Sequence, residues 1–315
     1  MLTLILEKGD PLRKEAEALG IHVMTLLPEL SLPRRAVDEA LKKNAALRKK
    51  VERWVRRLET LKPDIGVVYY GHWLPPALYT MPPHGFLNYH PAPLPDLRGM
   101  EPDTMAVLQG RRAICGTVHK VTHDYDDGPI YARTRVMRLT RYTTPLEIFE
   151  RLSDYGINAI VRVLTAIARD KALPHSQGTH HALDATRKRA REESTIQWNR
   201  DSNEMIERRR RAFIGQDIGI RLKAKVCGRV YAVDDVETHK GPFPGRAGQV
   251  IGQYTGKGAF AKGPIIRTRE GAAVLRLGKR MVAGAKKEPP ARWILPSGRR
   301  PKQTRRDIVR RSIER

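Results

Sequence analysis

Apolar and polar positions follow two patterns over the first 170 residues. Short, nearly continuous apolar runs predict strands, and stretches with an apolar residue every three or four positions predict helices. The predicted strands are 2–6, 21–26, 65–71, 86–90, 114–121 and 129–139, and the predicted helices are 10–20, 36–61 and 145–171. Apolar strands that alternate with helices are typical of a parallel sheet covered on both faces. We therefore expect an α/β fold with a mostly parallel sheet.

The pattern changes after residue 172. Residues 173–195 are polar and basic with little periodicity, so we interpret them as a linker. A helix is predicted at 196–213, and short strand-like runs interrupted by Gly and Pro follow it up to residue 297. Such runs predict a small all-β, OB-like barrel. We therefore expect the chain to consist of a domain at 1–172, the linker at 173–195, the barrel with its leading helix at 196–297, and a basic tail at 298–315.

Length and composition favour a soluble protein of two domains. The 315 residues contain no apolar run long enough to span a bilayer, and the N-terminus has no basic leader or small-residue cleavage site. Cys115 and Cys227 are far apart in sequence, which fits a reducing compartment better than a disulfide. We expect a cytoplasmic monomer that does not bind membranes.

The formal net charge of +25 is unevenly distributed. Residues 181–315 hold 33 Lys/Arg against 14 Asp/Glu, whereas residues 1–180 hold 26 against 20. A cluster of cations on one part of a chain favours a polyanion partner, because basic side chains displace counterions from phosphates. Solubilising charge is the alternative, but it explains a uniform excess better than an uneven one.

The stretch FLNYHPAPLPDLRG, residues 86–99, is the first candidate for chemistry. Asn88 and His90 lie at the carboxyl end of a predicted strand, where α/β sheets bind ligands, and their spacing directs both side chains to one face. Three prolines then stiffen the loop. Asn and His suit a reaction in which an oxygen gains charge while a nitrogen loses a proton. A core or capping role for the pair is equally compatible with this pattern.

A carboxylate is expected near His90 to orient its ring. The stretch HDYDDGPI, residues 123–130, follows another predicted strand and supplies Asp124, Asp126 and Asp127. Asp before Gly is also ordinary turn chemistry, and for any one of the three that simpler interpretation holds. His119 and His123 are about 13 Å apart on an extended strand, which is too far to share a zinc ion.

The segment NYHPAPLPDLRGMEP, residues 88–102, resembles the first signature of the folate-dependent formyltransferases, and GTVHKVTHDYDDGPI, residues 116–130, resembles the second. The resemblance implies a Rossmann-like catalytic domain. It also implies that Asn88, His90 and Asp126 are catalytic, with Asn88 and a charged His90 donating to an oxyanion. Asp126 would orient His90 and raise its pKa.

The same resemblance implies 10-formyltetrahydrofolate as formyl donor and no metal. PDIGVVYYGHWLP, residues 63–75, is similar to the strand and loop that hold the pterin. The implied cofactor-binding residues are Tyr70, Gly71, His72, Trp73, Leu74, Asp124, Tyr125 and Gly128.

The second half indicates the branch of the family. Residues 179–213 resemble the linker and first helix of methionyl-tRNA formyltransferases, and 264–277 resembles their C-terminal barrel. A tRNA would then bind the basic linker and barrel. The expected substrate or RNA contacts are Arg98, Arg208, Arg209, Lys223, Lys225 and Arg229. Solvated surface charge is the alternative for the basic residues, and an ion pair that closes the loop is the alternative for Arg98.

Two departures from the family keep other functions open. Family members begin with one more strand and helix, so we expect this domain to be one βα unit short. The loop at residues 7–14, which in the tRNA enzymes is long and basic, is short here. The short loop favours a small amine acceptor, such as an amino sugar nucleotide. The shortened domain favours an RNA-binding protein on a formyltransferase scaffold that has lost activity.

Overall fold

The fold is taken from a computed structural model, which describes residues 2–6, 17–18, 22–25, 34–69, 74–178, 184–216, 218–254 and 263–281. The N-terminal half is built on a six-stranded sheet with the order β2-β1-β3-β4-β6-β7. These strands are β1 (Leu2–Leu6), β2 (His22–Thr25), β3 (Ile65–Tyr69), β4 (Phe86–His90), β6 (Thr117–Lys120) and β7 (Ile130–Arg133). A small second sheet pairs β5 (Ala113–Ile114) with β8 (Met137–Arg138).

The first four strands of this order pair in parallel, and β6 and β7 add an antiparallel edge. The expected Rossmann-like, mostly parallel sheet is therefore confirmed. The predicted strand 114–121 is split between the two sheets. A Cβ at Gly116, where it is split, would come within 2.2 Å of the Tyr89 hydroxyl, so only glycine fits there.

Helices cover both faces of the main sheet. One face is covered by α2 (Ala45–Leu61), which follows α1 (Arg34–Lys43), and by the short α3 (Pro76–Tyr79). The prediction of one helix over 36–61 was wrong at Asn44, whose side chain accepts from Leu47 N–H and starts a new helix. The other face is covered by α5 (Pro145–Ile167). The predicted helix 10–20 lies largely outside the described residues.

The loop that follows β4 leads into α4 (Pro102–Leu108). The C-terminal half begins with α6 (Arg187–Glu193), inside the predicted linker. The helix predicted over 196–213 is shorter, at α7 (Asn203–Phe213), because Ser202 caps it by accepting from Met205 N–H.

A second six-stranded sheet has the order β12-β13-β14-β11-β10-β9. Its strands are β9 (Thr195–Ile196), β10 (Lys223–Val226), β11 (Arg229–Lys240), β12 (Val250–Tyr254), β13 (Gly263–Arg267) and β14 (Gly271–Arg280). Within this sheet, only the β9–β10 pairing is parallel among the described strands. Closure of this sheet into a barrel, and the domain boundaries, stay predictions; the basic tail lies outside the described residues.

One apolar core joins the two halves. Met105 and Leu108 of α4 share it with Ile206 and Phe213 of α7 and with Leu275 of β14. Trp198 also lies in this core, so Trp198 and Phe213 pack as core residues. Among the described residues, no helix has the length and apolar character needed to span a bilayer.

Candidate active site

Asn88 and His90 project from β4 onto the sheet face that α2 covers. Side chains alternate along a strand, and Phe86, two residues before Asn88, packs in the core beneath α2. Leu87 and Tyr89 face the opposite side, against α5. Both candidate residues are buried, at 4% and 5% exposed.

Asp126 joins them from the turn after β6. β6 runs antiparallel to β4, so the turn begins beside the start of β4 and not beside His90. The turn instead folds back across the sheet face. Asp126 Oδ2 lies 3.6 Å from His90 Nδ1 and accepts from Gly99 N–H at 2.9 Å, and Oδ1 lies 3.4 Å from Asn88 Nδ2.

The backbone of the turn is unusual at two positions. Asp126 has a φ of 51°, in the left-handed region that residues other than glycine enter at a cost of about 1 kcal/mol. A Cβ at Gly128 would lie 1.8 Å from the carbonyl oxygen of Lys120, so no other residue fits there. Strain of this kind persists where surrounding contacts fix the conformation, as they do for a positioned side chain.

His119 of β6 completes the polar cluster. It is 2% exposed, its Nδ1 lies 2.9 Å from the carbonyl oxygen of Lys120, and its Nε2 lies 3.5 Å from Asp126 Oδ1. Asn88 Nδ2 is 3.1 Å from that Nε2. Because a carboxylate only accepts, the amide nitrogen is also the atom that belongs beside Asp126.

The orientation of Asn88 changes its expected role. Its amide nitrogen, which was expected to donate to an oxyanion, faces His119 and Asp126 instead. Its Oδ1 is buried and has no hydrogen-bond partner among the described residues. The site thus presents an unused acceptor, which fits a ligand that brings an N–H group.

Burial sets the protonation of His90. It lowers the pKa of His90 below 6.5 and outweighs the opposing influence of Asp126 and of the Leu97 carbonyl, 2.9 Å from Nε2. His90 is therefore neutral near pH 7, with its proton on Nε2 and a free Nδ1. Asp126 raises this pKa, as expected, but the burial of the imidazole lowers it by more, so that the net shift is downward.

Asp126 is held as a carboxylate. Burial alone would raise its pKa, but the positive charge that His90 carries once protonated, the contact with His119 and the hydrogen bond from Gly99 N–H together bring that pKa well below its ordinary value. The side chain is only 10% exposed, so these groups provide the solvation that water otherwise gives. The cluster therefore combines a fixed anion with a neutral imidazole.

Arg98 and Gln177 tie the two loops together. Arg98 forms an ion pair with Asp127 at 2.6 Å and donates to Gln177 Oε1 at 2.9 Å. Gln177 Nε2 donates in turn to the carbonyl oxygens of Asp126 and Gly128, at 2.8 and 2.7 Å. Arg98 thus makes the loop-closing ion pair, and a substrate contact by Arg98 stays a prediction.

The predicted folate residues fall into three groups. Tyr70, Gly71, His72 and Trp73 lie outside the described residues. Leu74 has no exposed surface and packs beneath α2, which argues against contact between its side chain and a ligand. Asp124 and Tyr125 are exposed on the turn, while Gly128 is enclosed by the backbone of β6. Their role as a folate site stays a prediction.

The arginines of α7 are engaged within the protein. Arg209 is 5% exposed, and its guanidinium binds both carboxylate oxygens of Asp201 as well as Glu193. Arg208 pairs with Glu204 and lies against Gly110. The structure thus argues against Arg209 as an RNA contact, because its donors are already satisfied and buried. Lys225 and Arg229 are exposed on the C-terminal sheet and Lys223 is half-buried, so their RNA role stays a prediction.

Two residues of the cluster were missed in the sequence. His119 was considered only as a zinc ligand, and no sequence signal fixes the register that pairs it with Asn88. Gln177 lies in a segment interpreted as a linker. That segment instead forms bridges with the site, between His175 and Ile130 and between Asp184 and Arg98.

Comparison with known proteins finds similar sequences. Residues 13–164 match the formyl transferase family model. The methionyl-tRNA formyltransferase of Nitrosomonas eutropha is 34% identical over 158 residues, which cover 50% of this chain and 49% of the relative. The chain thus spans about half the length of that curated relative.

Solved structures share the fold. HypX from Aquifex aeolicus, in complex with tetrahydrofolic acid, matches 87% of this chain and 43% of its own at a TM-score of 0.58 and 18% identity. A sugar N-formyltransferase from a Shewanella species matches 74% of this chain and 96% of its own at a TM-score of 0.54 and 15% identity. Over residues 13–164, the chain is similar to the formyl transferase family.

Proposed function

We propose that this protein transfers a formyl group from 10-formyltetrahydrofolate to an amine, and that the amine belongs to methionyl-tRNA. The observation that carries the reaction is the buried carboxylate of Asp126, which contacts His90, Asn88 and the Gly99 N–H at once. The family match supports formyl transfer. The tetrahydrofolic acid complex of HypX supports a folate donor.

Asn88 holds the attacking amine in this proposal. Its Oδ1 is a buried acceptor with no partner among the described residues, and an amine supplies the N–H that such an oxygen lacks. A hydrogen bond of this kind fixes the direction from which the nitrogen lone pair attacks. Positioning a nucleophile in this way can contribute several kcal/mol to lowering the barrier.

His90 takes the proton that the amine loses as its nitrogen bonds to the formyl carbon, and gives it to the nitrogen of the donor as the bond between that nitrogen and the formyl carbon breaks. Its low pKa leaves it neutral and able to accept, and Asp126 lies beside the nitrogen that is free. Once protonated, the imidazolium pairs with the Asp126 carboxylate, which limits the cost of a buried charge. General acid–base catalysis of this kind contributes about 100- to 10,000-fold in rate.

The acceptor is proposed from the relatives and the charge. Methionyl-tRNA formyltransferases are the curated relatives at 30–34% identity. The excess of cations after residue 180 is what a nucleic-acid substrate requires and a small amine does not. Both observations favour methionyl-tRNA.

A small amine is the second candidate acceptor. The sequence feature that favours it is the short stretch at residues 7–14, where the tRNA enzymes are expected to have a long basic loop. The fold shared with a sugar N-formyltransferase is compatible with an amino sugar nucleotide in its place.

The deciding experiment offers three acceptors, one at a time, to the full chain with 10-formyltetrahydrofolate. Initiator tRNA charged with methionine, the elongator tRNA charged with methionine and an amino sugar nucleotide are compared, with wild type beside His90→Ala. We expect transfer to the charged initiator alone and loss of that transfer in the variant. Transfer to the sugar nucleotide alone would favour the small amine. No transfer to any acceptor, with tRNA still bound, would favour the inactive RNA-binding scaffold.

A further inference from the structure

The helix α2 carries a basic face that the sequence pattern did not single out. Residues 42–57 hold eight Lys/Arg and one acid, Glu52. The buried side chains of α2 are Leu47, Val51, Trp54 and Leu58, which define the face that packs on the sheet. At 100° per residue, the opposite side carries Lys49, Arg53 and Arg56, with Arg57 at its margin. We call these four residues the α2 basic face.

The four cations are exposed and unpaired among the described residues. None forms an ion pair with a described carboxylate, whereas Arg208, Arg209 and Arg210 of α7 each do. Like charges at three- and four-residue spacing destabilise a helix by about 0.2–0.5 kcal/mol per pair. A polyanion bound along this face would remove that repulsion.

The α2 basic face lies on the same side of the sheet as the candidate active site. Phe86 packs in the core beneath α2, and Asn88 and His90 follow it at even spacing on β4. A long substrate that places its reactive end at His90 can therefore extend over α2. The opposite side of the sheet is covered by α5.

We propose that the α2 basic face binds the phosphate backbone of the tRNA whose charged end reaches the site, an inference that rests on the proposed function. Lys49 to Arg57 span about 12 Å of helix, enough to contact several successive phosphates. A membrane fits less well, because the apolar side of α2 is already buried against the sheet and only charge faces outward.

The test replaces three cations at once, as Lys49→Gln, Arg53→Gln and Arg56→Gln. The matched control removes the same charge on the other side of the sheet, as Arg162→Gln, Arg169→Gln and Lys171→Gln. These three exposed residues lie in α5 or just after it. Binding of initiator tRNA is measured across salt concentrations. We expect the α2 variant to bind at least tenfold more weakly, with a slope of log K against log salt shallower by about 2, and the control to change little.

An equal loss in the two triple variants, or an unchanged salt slope in the α2 variant, would overturn the proposal. Formyl transfer by the wild type is measured separately. If transfer fails while the α2 slope changes as expected, the proposed function fails and the RNA surface stands.

Discussion

At the residue scale, Asp126 shows what the sequence does and does not predict. Its identity followed from the spacing to Gly128 and Pro129 in the second signature. Its left-handed φ of 51° and its contacts with Asn88 and Gly99 depend on a turn that folds back across the sheet. Such a path is set by tertiary packing, which no local pattern encodes. His119 was missed for the same reason.

The protonation of His90 is directly testable. Because burial lowers its pKa, the midpoint of its imidazole NMR titration should lie below 6.5. Asp126→Asn removes the carboxylate that raises this pKa, so the midpoint should fall further. His90→Gln identifies the signal. A midpoint above 6.5, or a rise in Asp126→Asn, would contradict the account.

The lowered pKa of His90 makes the stability of the fold depend on pH. Unfolded His90 binds a proton near pH 6.5, whereas the folded residue binds it only at lower pH. Between these values the unfolded state holds more protons, so the contribution of His90 to the free energy of unfolding falls as the pH drops below about 6.5.

Gln177 should act as a positioning residue for Asp126. Gln177→Leu removes both donations to the turn, at Asp126 and at Gly128, and leaves Arg98 without its amide acceptor. We expect kcat for formyl transfer to fall about tenfold or more, because a loosened carboxylate orients His90 poorly. Ser176→Ala, an exposed neighbour, is the control.

Two further measurements separate positioning from folding in Gln177→Leu. The NMR midpoint of His90 should shift in Gln177→Leu, and Gln177→Glu should not restore activity because a carboxylate cannot donate to the two carbonyl oxygens. Activity of Gln177→Leu within twofold of wild type would refute this role.

At the element scale, hydrophobic periodicity predicted most helices and strands but not their interruptions. The helix over 36–61 is divided at Asn44 because its side chain caps α2 more favourably than it continues α1. The arginine run of α7 was predicted to be partly solvated and partly RNA-binding. Instead, Arg209 and Arg210 form ion pairs with carboxylates that lie outside α7, namely Asp201 and Asp235.

Arg209 and Arg210 should differ sharply in their effect on stability. Arg209→Ala leaves Asp201 buried without its cation, so we expect the free energy of unfolding to fall by about 3–5 kcal/mol. Arg210→Ala, on the same helix with a side chain 40% exposed, should cost about 1 kcal/mol or less. Urea unfolding of both variants measures the difference. Equal losses of unfolding free energy in the two variants would show that the buried ion pair between Arg209 and Asp201 contributes no more than the exposed one.

At the scale of the whole molecule, the order of the elements was predictable and the coupling between the halves was not. Alternating apolar strands and helices predicted the main sheet, and Gly- and Pro-rich spacing predicted the β-rich second half. The core that joins α4 to α7 and β14 arises from residues that only the folded chain brings together. The loop of the candidate active site before α4 therefore leads into a core that both halves share.

The most direct test of the account is the rate of formyl transfer to charged initiator tRNA by Asp126→Asn beside wild type. The substitution keeps the shape of the side chain and removes the charge that pairs with His90. We predict a rate at least 100-fold lower, with an unfolding temperature close to that of the wild type. A rate within about threefold of wild type would contradict the claim that Asp126, through His90, carries the reaction.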